Sequence, residues 1–231
     1  MQISNRLKSI SCLVLLLIQF SVTINAANKS TNDKEDMKLT AREVFKKLQC
    51  QQLELLSPSV RLDMLDYWDA DSIYKASNAM EGLSWLEMVA DTYLKLHVTS
   101  VSTFEIKILS EKKNDIILTI YTIGSEAQAR DSQLNFYDTA LIPQETKKYF
   151  DIPELKDYFS IPKGSLTSMK EIREMIPFPT VSYEANPDNE NLTSELTVKE
   201  FLNQDDWNII KLFLKPSITL DWKNEKYKYH K

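Results

Sequence analysis

Four aspartates, Asp63, Asp66, Asp69 and Asp71, follow one another at intervals of three, three and two residues, with Arg61 and Tyr67 among them. Two carboxylates facing across a cleft can divide the acid and base roles of glycoside hydrolysis. Closely set carboxylates can also hold calcium. Helical spacing puts Asp63 and Asp66 on adjoining faces of one helix, with Asp69 and Asp71 at its exit. A solvated helix face, with Arg61 pairing locally to its neighbours, accounts for the same pattern. A calcium loop beginning at Asp69 is excluded, because its sixth position is Tyr74 rather than Gly and its twelfth is Met80 rather than Glu. Asn186–Asn191 is oxygen-rich, but a turn needs those residue types anyway. Arg61, Asp63, Asp66, Tyr67, Asp69 and Asp71 are therefore the candidate binding group, with no catalytic or metal-ligating residue assigned.

Other chemistry is limited by residue supply. His97 and His230 are the only histidines, too few for a three-histidine zinc site, and no HExxH helix is present. Gly82, Gly124 and Gly164 stand alone, which removes the P-loop, the dinucleotide fingerprint and the G-x-S-x-G elbow. No cofactor is expected. A Ser/His/Asp triad would need His97 as its base, yet His97 lies between Leu96 and Val98 in an alternating run and reads as an outward-facing strand histidine.

The N-terminus has the three parts of a secretory signal peptide. Arg6 and Lys8 precede an apolar run from Cys12 to Val22, and Ala26 and Ala27 precede a polar stretch. The apolar run is shorter than the roughly twenty residues of a membrane span, so cleavage after Ala26 is favoured over an uncleaved anchor. Cys12 sits at the start of the apolar run, the wrong place for a lipidated cysteine. Residues 1–26 read as the signal peptide, 27–38 as a flexible tether and 39–231 as one domain. The mature chain should have no membrane span.

The chain carries 28 basic and 33 acidic residues; losing Arg6 and Lys8 with the signal leaves a net charge of −7. Such a domain, with no basic stripe, is a poor nucleic-acid binder, since phosphate neutralisation supplies most of that affinity. Cys50 alone remains after cleavage, so no intrachain disulfide can form and the core must supply the stability.

The elements that would carry these residues follow from periodicity. Thr40 can cap a helix running to about Gln49, with Glu43 at capping-box spacing and Val44, Phe45 and Leu48 on its apolar face. Ser57 and Pro58 open a second helix, on which Val60, Met64, Leu65 and Trp68 recur at helical spacing. Tyr67 and Trp68 should seal it against a sheet. Residues 70–86 read as irregular. From Tyr93 the period becomes two, through Leu94, Leu96 and Val98, then Phe104, Ile106 and Ile108. Asp115–Ile123 is apolar nearly throughout and reads as a central strand buried on both faces. Gln133–Thr139 completes a meander, with a turn over 110–114.

Later come short helical stretches at Glu154–Phe159, Ser168–Met175 and Asp205–Leu214. A hairpin of Val181–Ala185 and Leu192–Val198 and a final strand pair, Ser217–Trp222 and Tyr227–His230, complete the chain. The last strand reads either as a place for a partner strand to add or as an edge guarded by lysines. Asn28 and Asn191 each begin a glycosylation triplet. The whole is one α+β domain: an antiparallel sheet of meander and hairpins, with N-terminal helices and further short helices packed on it.

Arg61, Leu62, Asp63, Met64, Leu65, Asp66 and Tyr67, with the later QLNFYDTALIP and TLDW, resemble a family of uncharacterised exported proteins of Bacteroides-type bacteria, classed as a domain of unknown function. In that family the segment before the arginine often reads Met-Pro-Asp, where this chain has Leu-Ser-Pro-Ser. The resemblance implies a Gram-negative, periplasmic location and transfers no catalytic residue. The leading expectation is an exported, non-enzymatic protein that binds an unidentified protein or envelope component. The alternatives are a hydrolase using the aspartates on envelope or glycan substrates, and a carrier of an apolar ligand between sheet and helices.

Overall fold

Helix starts are set by side chains that take over the unpaired N–H groups of a first turn. The computed structural model describes residues 39–110, 114–125 and 129–229. The signal and tether segments, the triplet at Asn28, most of the 110–114 turn and His230 lie outside them. Thr40 Oγ1 accepts from Glu43 N–H at 3.2 Å and opens α1 (Ala41–Lys47). Glu43, placed to complete a capping box, turns instead to Lys46 at 2.9 Å and Lys47 at 3.1 Å. Ser57 Oγ accepts from Val60 N–H at 3.3 Å and, with Pro58 in the first turn, opens α2 (Pro58–Asp69).

Antiparallel strands in chain order build the first sheet: β1 (Ala76–Ser77), β2 (Leu83–Val89), β3 (Tyr93–Thr99), β4 (Ser102–Leu109), β5 (Ile116–Ile123), β6 (Asp131–Tyr137) and β7 (Pro143–Gln144). The short helices α3 (Thr146–Tyr149) and α4 (Met169–Met175) follow. A second antiparallel sheet then forms from β8 (Val181–Ala185), β9 (Leu192–Leu196), β10 (Ile218–Trp222) and β11 (Tyr227–Tyr229), with α5 (Gln204–Ile210) between β9 and β10. The α+β class expected from periodicity is the one observed. The structure differs from the sequence reading in having two sheets, and in forming β1 and the first half of β2 within residues 70–86, a stretch that reads as irregular.

Period-two alternation sorts each strand of the first sheet onto two faces. Leu94, Leu96, Val98, Phe104, Ile106 and Ile108 are buried together with Val44, Phe45, Met64 and Leu65 of the two N-terminal helices. Their alternates point the other way, where Leu118, Ile120 and Phe136 pack with Tyr183, Leu192 and Leu220 of the second sheet. Each fully buried Leu, Ile or Phe stabilises the fold by about 1.5–3 kcal/mol relative to exposure, and both faces of the first sheet use this.

Sheet edges are potential sites of unwanted pairing. The first sheet ends in two strands of only two residues each, β1 and β7. At the β11 edge of the second sheet, Phe150 bridges Tyr227 and Asp151 N–H donates to Tyr227 O at 3.2 Å. That contact covers the edge at Tyr227, the first residue of the strand for which partner-strand addition is one of the two readings.

Candidate functional site

The second sheet stands with its β8 edge on the inner face of the first. In β8, the N–H groups of Val181, Tyr183 and Ala185 face away from β9. They are received by side chains of the first sheet: Asp131 Oδ1 at 3.3 Å, Ser132 Oγ at 3.0 Å and Glu105 Oε2 at 3.0 Å. On one side of this line lies the apolar inter-sheet core. On the other side the alternate residues are polar, and they enclose a cleft of about 380 Å³.

Both walls of the cleft are written in the strand patterns. In β3, Leu94, Leu96 and Val98 face the helices, so Lys95 and His97 face the cleft; Thr103 and Glu105 of β4 sit opposite His97 and Lys95 in register. In the β8–β9 hairpin, Ser182 lies opposite Glu195 and Glu184 opposite Thr193, and these four form the other wall. Two ion pairs cross between the sheets. Lys95 Nζ reaches Glu184 at 2.8 Å, and Arg130 Nη2 reaches Glu195 at 2.5 Å. Lys95 also approaches Glu87 at 3.3 Å, and the other oxygen of Glu87 lies 2.5 Å from His97 Nε2. The His97 ring stacks on Trp85 with centroids 4.3 Å apart, and Lys75 Nζ lies 5.3 Å from the Trp85 ring. The result is a chain, Glu184–Lys95–Glu87–His97, braced on an indole.

Glu105 is the most deeply buried of the residues lining the cleft, 2 % exposed. Burial pushes its carboxyl up to about 8, and the like charge of Glu184 adds to this against the pull of Ala185 N–H, Lys95 and Tyr93. Tyr93 Oη donates to Glu105 Oε2 at 3.1 Å, the same oxygen that accepts from Ala185. Burial likewise raises the Tyr93 phenol, with Glu105 reinforcing it. Burial alone would pull Lys95 down, but its bond to Glu184 and the surrounding carboxylates hold it above the ordinary lysine value. The walls thus present a fixed set of donors and acceptors, with several hydroxyls among them. Such an arrangement can orient a small polar molecule.

The six residues singled out from sequence are not gathered into one site. Arg61 is 2 % exposed, so the expected local pairing with its aspartates does not form. Its Nη1 donates to Phe45 O at 2.8 Å and Leu48 O at 2.9 Å, closing the C-terminal end of α1, where a cation is favoured. Asp63 and Asp66 are exposed on the outer face of α2. Asp69 forms a two-pronged ion pair with Arg42, at 2.6 and 2.7 Å. Asp71 is exposed with φ of 51° just beyond the helix. Trp68 packs on the core as expected, but Tyr67 is exposed and stacks on Tyr74 at 4.8 Å. None of the four aspartates lines the cleft.

Other expectations resolve locally. Asn186 Oδ1 accepts from Asp188 N–H at 2.8 Å and Asn189 N–H at 3.1 Å, so its side-chain oxygen builds the β8–β9 turn. Among the described residues no group of three or more His, Cys, Asp or Glu side chains is placed to hold a metal ion, and no helix is long and apolar enough to cross a membrane. His97 does face away from the helix-side core, but into the cleft. Glu87, Lys95, Glu105 and Glu184 carry no site signal in the sequence, because a charge alternating with apolar residues ordinarily faces solvent. The available signal was TFEIKIL, where Glu105 and Lys107 sit within an otherwise apolar strand.

No curated protein matches the chain. A solved structure, that of a domain of an uncharacterized protein from Porphyromonas gingivalis W83, is similar with a TM-score of 0.68 at 18 % identity, covering 82 % of this chain and 96 % of that one. At that identity the likeness is one of fold. The model of the family described as "Protein of unknown function (DUF3256)" matches residues 36–227, and the chain belongs to that family.

Proposed function

We propose that this chain is an exported, non-enzymatic binding protein of the bacterial envelope, periplasmic in location, which holds a small polar ligand in the cleft between its two sheets. The observation that carries the binding reading is the Glu184–Lys95–Glu87–His97 chain, in which charged groups from both sheets converge on one cavity. Converging polar groups in a preformed concavity are the usual marks of a ligand site. The charged n-region and apolar run of residues 1–26 support export. Cell fractionation with N-terminal sequencing tests that part: a mature chain beginning at Ala27 in the periplasmic fraction is expected, and an intact Met1 in the cytoplasm would refute it.

Calorimetric titration of the purified protein with a panel of amino acids, short peptides, diamines and N-acetylated sugars tests the binding. At least one class should bind, with Lys95→Ala weakening it tenfold or more. Two other results would redirect the assignment. Loss of binding in Asp63→Asn/Asp66→Asn, with Lys95→Ala silent, would move the site to the exposed face of α2 and to a protein partner. Turnover of a ligand, abolished in both Glu105→Gln and Glu184→Gln, would replace binding by hydrolysis. That second reading is favoured by one observation, a carboxyl held toward its protonated form at the cleft floor.

A further inference from the structure

The cleft has a neighbour of opposite electrical character. Past the Arg130–Glu195 ion pair, which lines both, lies a second cavity of about 370 Å³. Its walls come from the end of β9, the following turn, α5 and the segment after it. They bring Lys199, Lys211 and Lys215 around the half-buried Trp207, with Glu200 the further carboxylate beside Glu195. The first cleft has the reverse balance: Glu87, Glu184 and Glu195 stand against Lys95 and Arg130, while Glu105 is held toward its neutral form by burial. Lys95 is already neutralised by two carboxylates. In the second cavity Lys215 is committed to Asp157 O at 2.7 Å and Tyr229 Oη at 2.9 Å; Lys199 and Lys211 are exposed at its rim, with Lys211 Nζ donating to Asn208 Oδ1 at 2.7 Å.

Resting on the binding role proposed above, we infer that the two cavities are subsites of one groove, and that its ligand is a short zwitterionic peptide. Its ammonium end lies in the acidic cleft beside Glu87 and Glu184, and its carboxylate lies in the second cavity between Arg130 and the rim lysines. A ligand with one charge fits only one half of such a groove. A neutral one leaves both charge imbalances unanswered. The main chain of a peptide supplies, between its termini, amide donors and acceptors for Ser182 and Thr193, which line the acidic cleft. The Arg130–Glu195 pair sits at the junction, where its two charges can each be shared with the passing chain.

Three probes with one backbone separate the contributions: trialanine, its C-terminal amide and its N-acetyl form, each titrated calorimetrically into the purified protein. Trialanine should bind at least tenfold more tightly than either blocked form. In the double variant Lys199→Glu/Lys211→Glu, whose substitutions lie on exposed positions, that advantage over the amide should disappear. An amide that binds as well as trialanine would overturn the two-subsite assignment. If no tripeptide binds while a diamine or N-acetylglucosamine does so in a manner sensitive to Lys95→Ala, the peptide assignment fails and the binding role stands. If nothing in either panel binds, both fail.

Discussion

Glu105 Oε2 accepts the main-chain N–H of Ala185 at 3.0 Å, joining residues 80 positions apart and fastening the β8 edge to the inner face of the first sheet. The contact does two jobs. It satisfies an edge N–H that would otherwise be buried and unpaired, and it fixes the distance between the walls of the cleft. Removing the acceptor strands both Ala185 N–H and Tyr93 Oη. Glu105→Ala should therefore cost about 2–4 kcal/mol in urea unfolding. Glu105→Gln keeps an acceptor oxygen at the same place and should cost about 1 kcal/mol or less. Equal losses in the two variants would show that the bond to Ala185 is not what matters.

The same residue makes stability depend on pH. Its folded-state carboxyl, pushed up to about 8 by burial, holds a proton that the unfolded chain gives up near the ordinary glutamate value of 4.5. The folded state thus binds more protons than the unfolded state between those two values. Its contribution is complete below 4.5 and is lost as pH rises through about 8. The slope for one such group is at most about 1.4 kcal/mol per pH unit. Unfolding free energies measured from pH 5 to pH 8 should fall in the wild type and flatten in Glu105→Gln. A rise over that window, or an unchanged slope in the variant, would contradict the assignment.

Arg61 should behave as a core residue. Its guanidinium is surrounded by Phe45, Leu48 and the α1 terminus, and burial lowers it below the ordinary arginine value. Arg61→Ala leaves two helix-terminal carbonyls without their donor and opens a void, for a cost of about 3–5 kcal/mol. Arg61→Lys retains a cation but not the planar fork, and should fall between the wild type and the alanine variant. Thermal unfolding would show it. A change of under about 0.5 kcal/mol in Arg61→Ala, typical of a surface position, would return Arg61 to the exposed face of α2.

How much of this was legible follows from what alternation can and cannot encode. Leu94, Leu96 and Val98 announced a strand with one apolar face, and Ser57-Pro58 announced a helix start; both are found. The strand Leu83–Val89 shows no alternation in the sequence because a bulge between Leu86 and Met88 shifts its register and breaks the period. Alternation assigns Lys95, His97 and Glu105 to the face opposite Leu94 and Phe104, but does not say what covers that face. A second sheet covers it, formed about eighty residues later, so solvent-facing charges in the sequence became cleft walls. Arg61 misled for a related reason. Its partners are main-chain carbonyls of another helix, which no side-chain pattern records.

Gly124 should tolerate no side chain. It lies just past β5 at the mouth of the cleft, with φ of +110°, a conformation that L-residues rarely adopt. A Cβ placed there would come within 2.3 Å of Ala129 O and 2.9 Å of Arg130 Cα, both main-chain atoms that cannot swing aside. Gly124→Ala must therefore move the chain leading into Arg130, and so the Arg130–Glu195 pair. A loss of about 1–3 kcal/mol is expected from the backbone strain. Unfolding no easier than in the wild type would mean that this turn relaxes freely.

Trp85 gives the cleft an optical reporter. Its indole stacks on His97 at 4.3 Å, and His97 is tied to Glu87 within the charged chain. A ligand ammonium that draws Glu87 away must change the electrostatics around both rings. Three other tryptophans, Trp68, Trp207 and Trp222, contribute to the total emission. Trp207 borders the second cavity, whereas Trp68 and Trp222 pack in the cores. Titration of wild type, Trp85→Phe and Trp207→Phe with trialanine therefore assigns each half of the signal to one end of the groove. The C-terminal amide should produce only the part that Trp85→Phe removes, because an ammonium without a carboxylate reaches only the acidic cleft. A response to the amide that survives in Trp85→Phe and vanishes in Trp207→Phe would reverse the polarity of the groove.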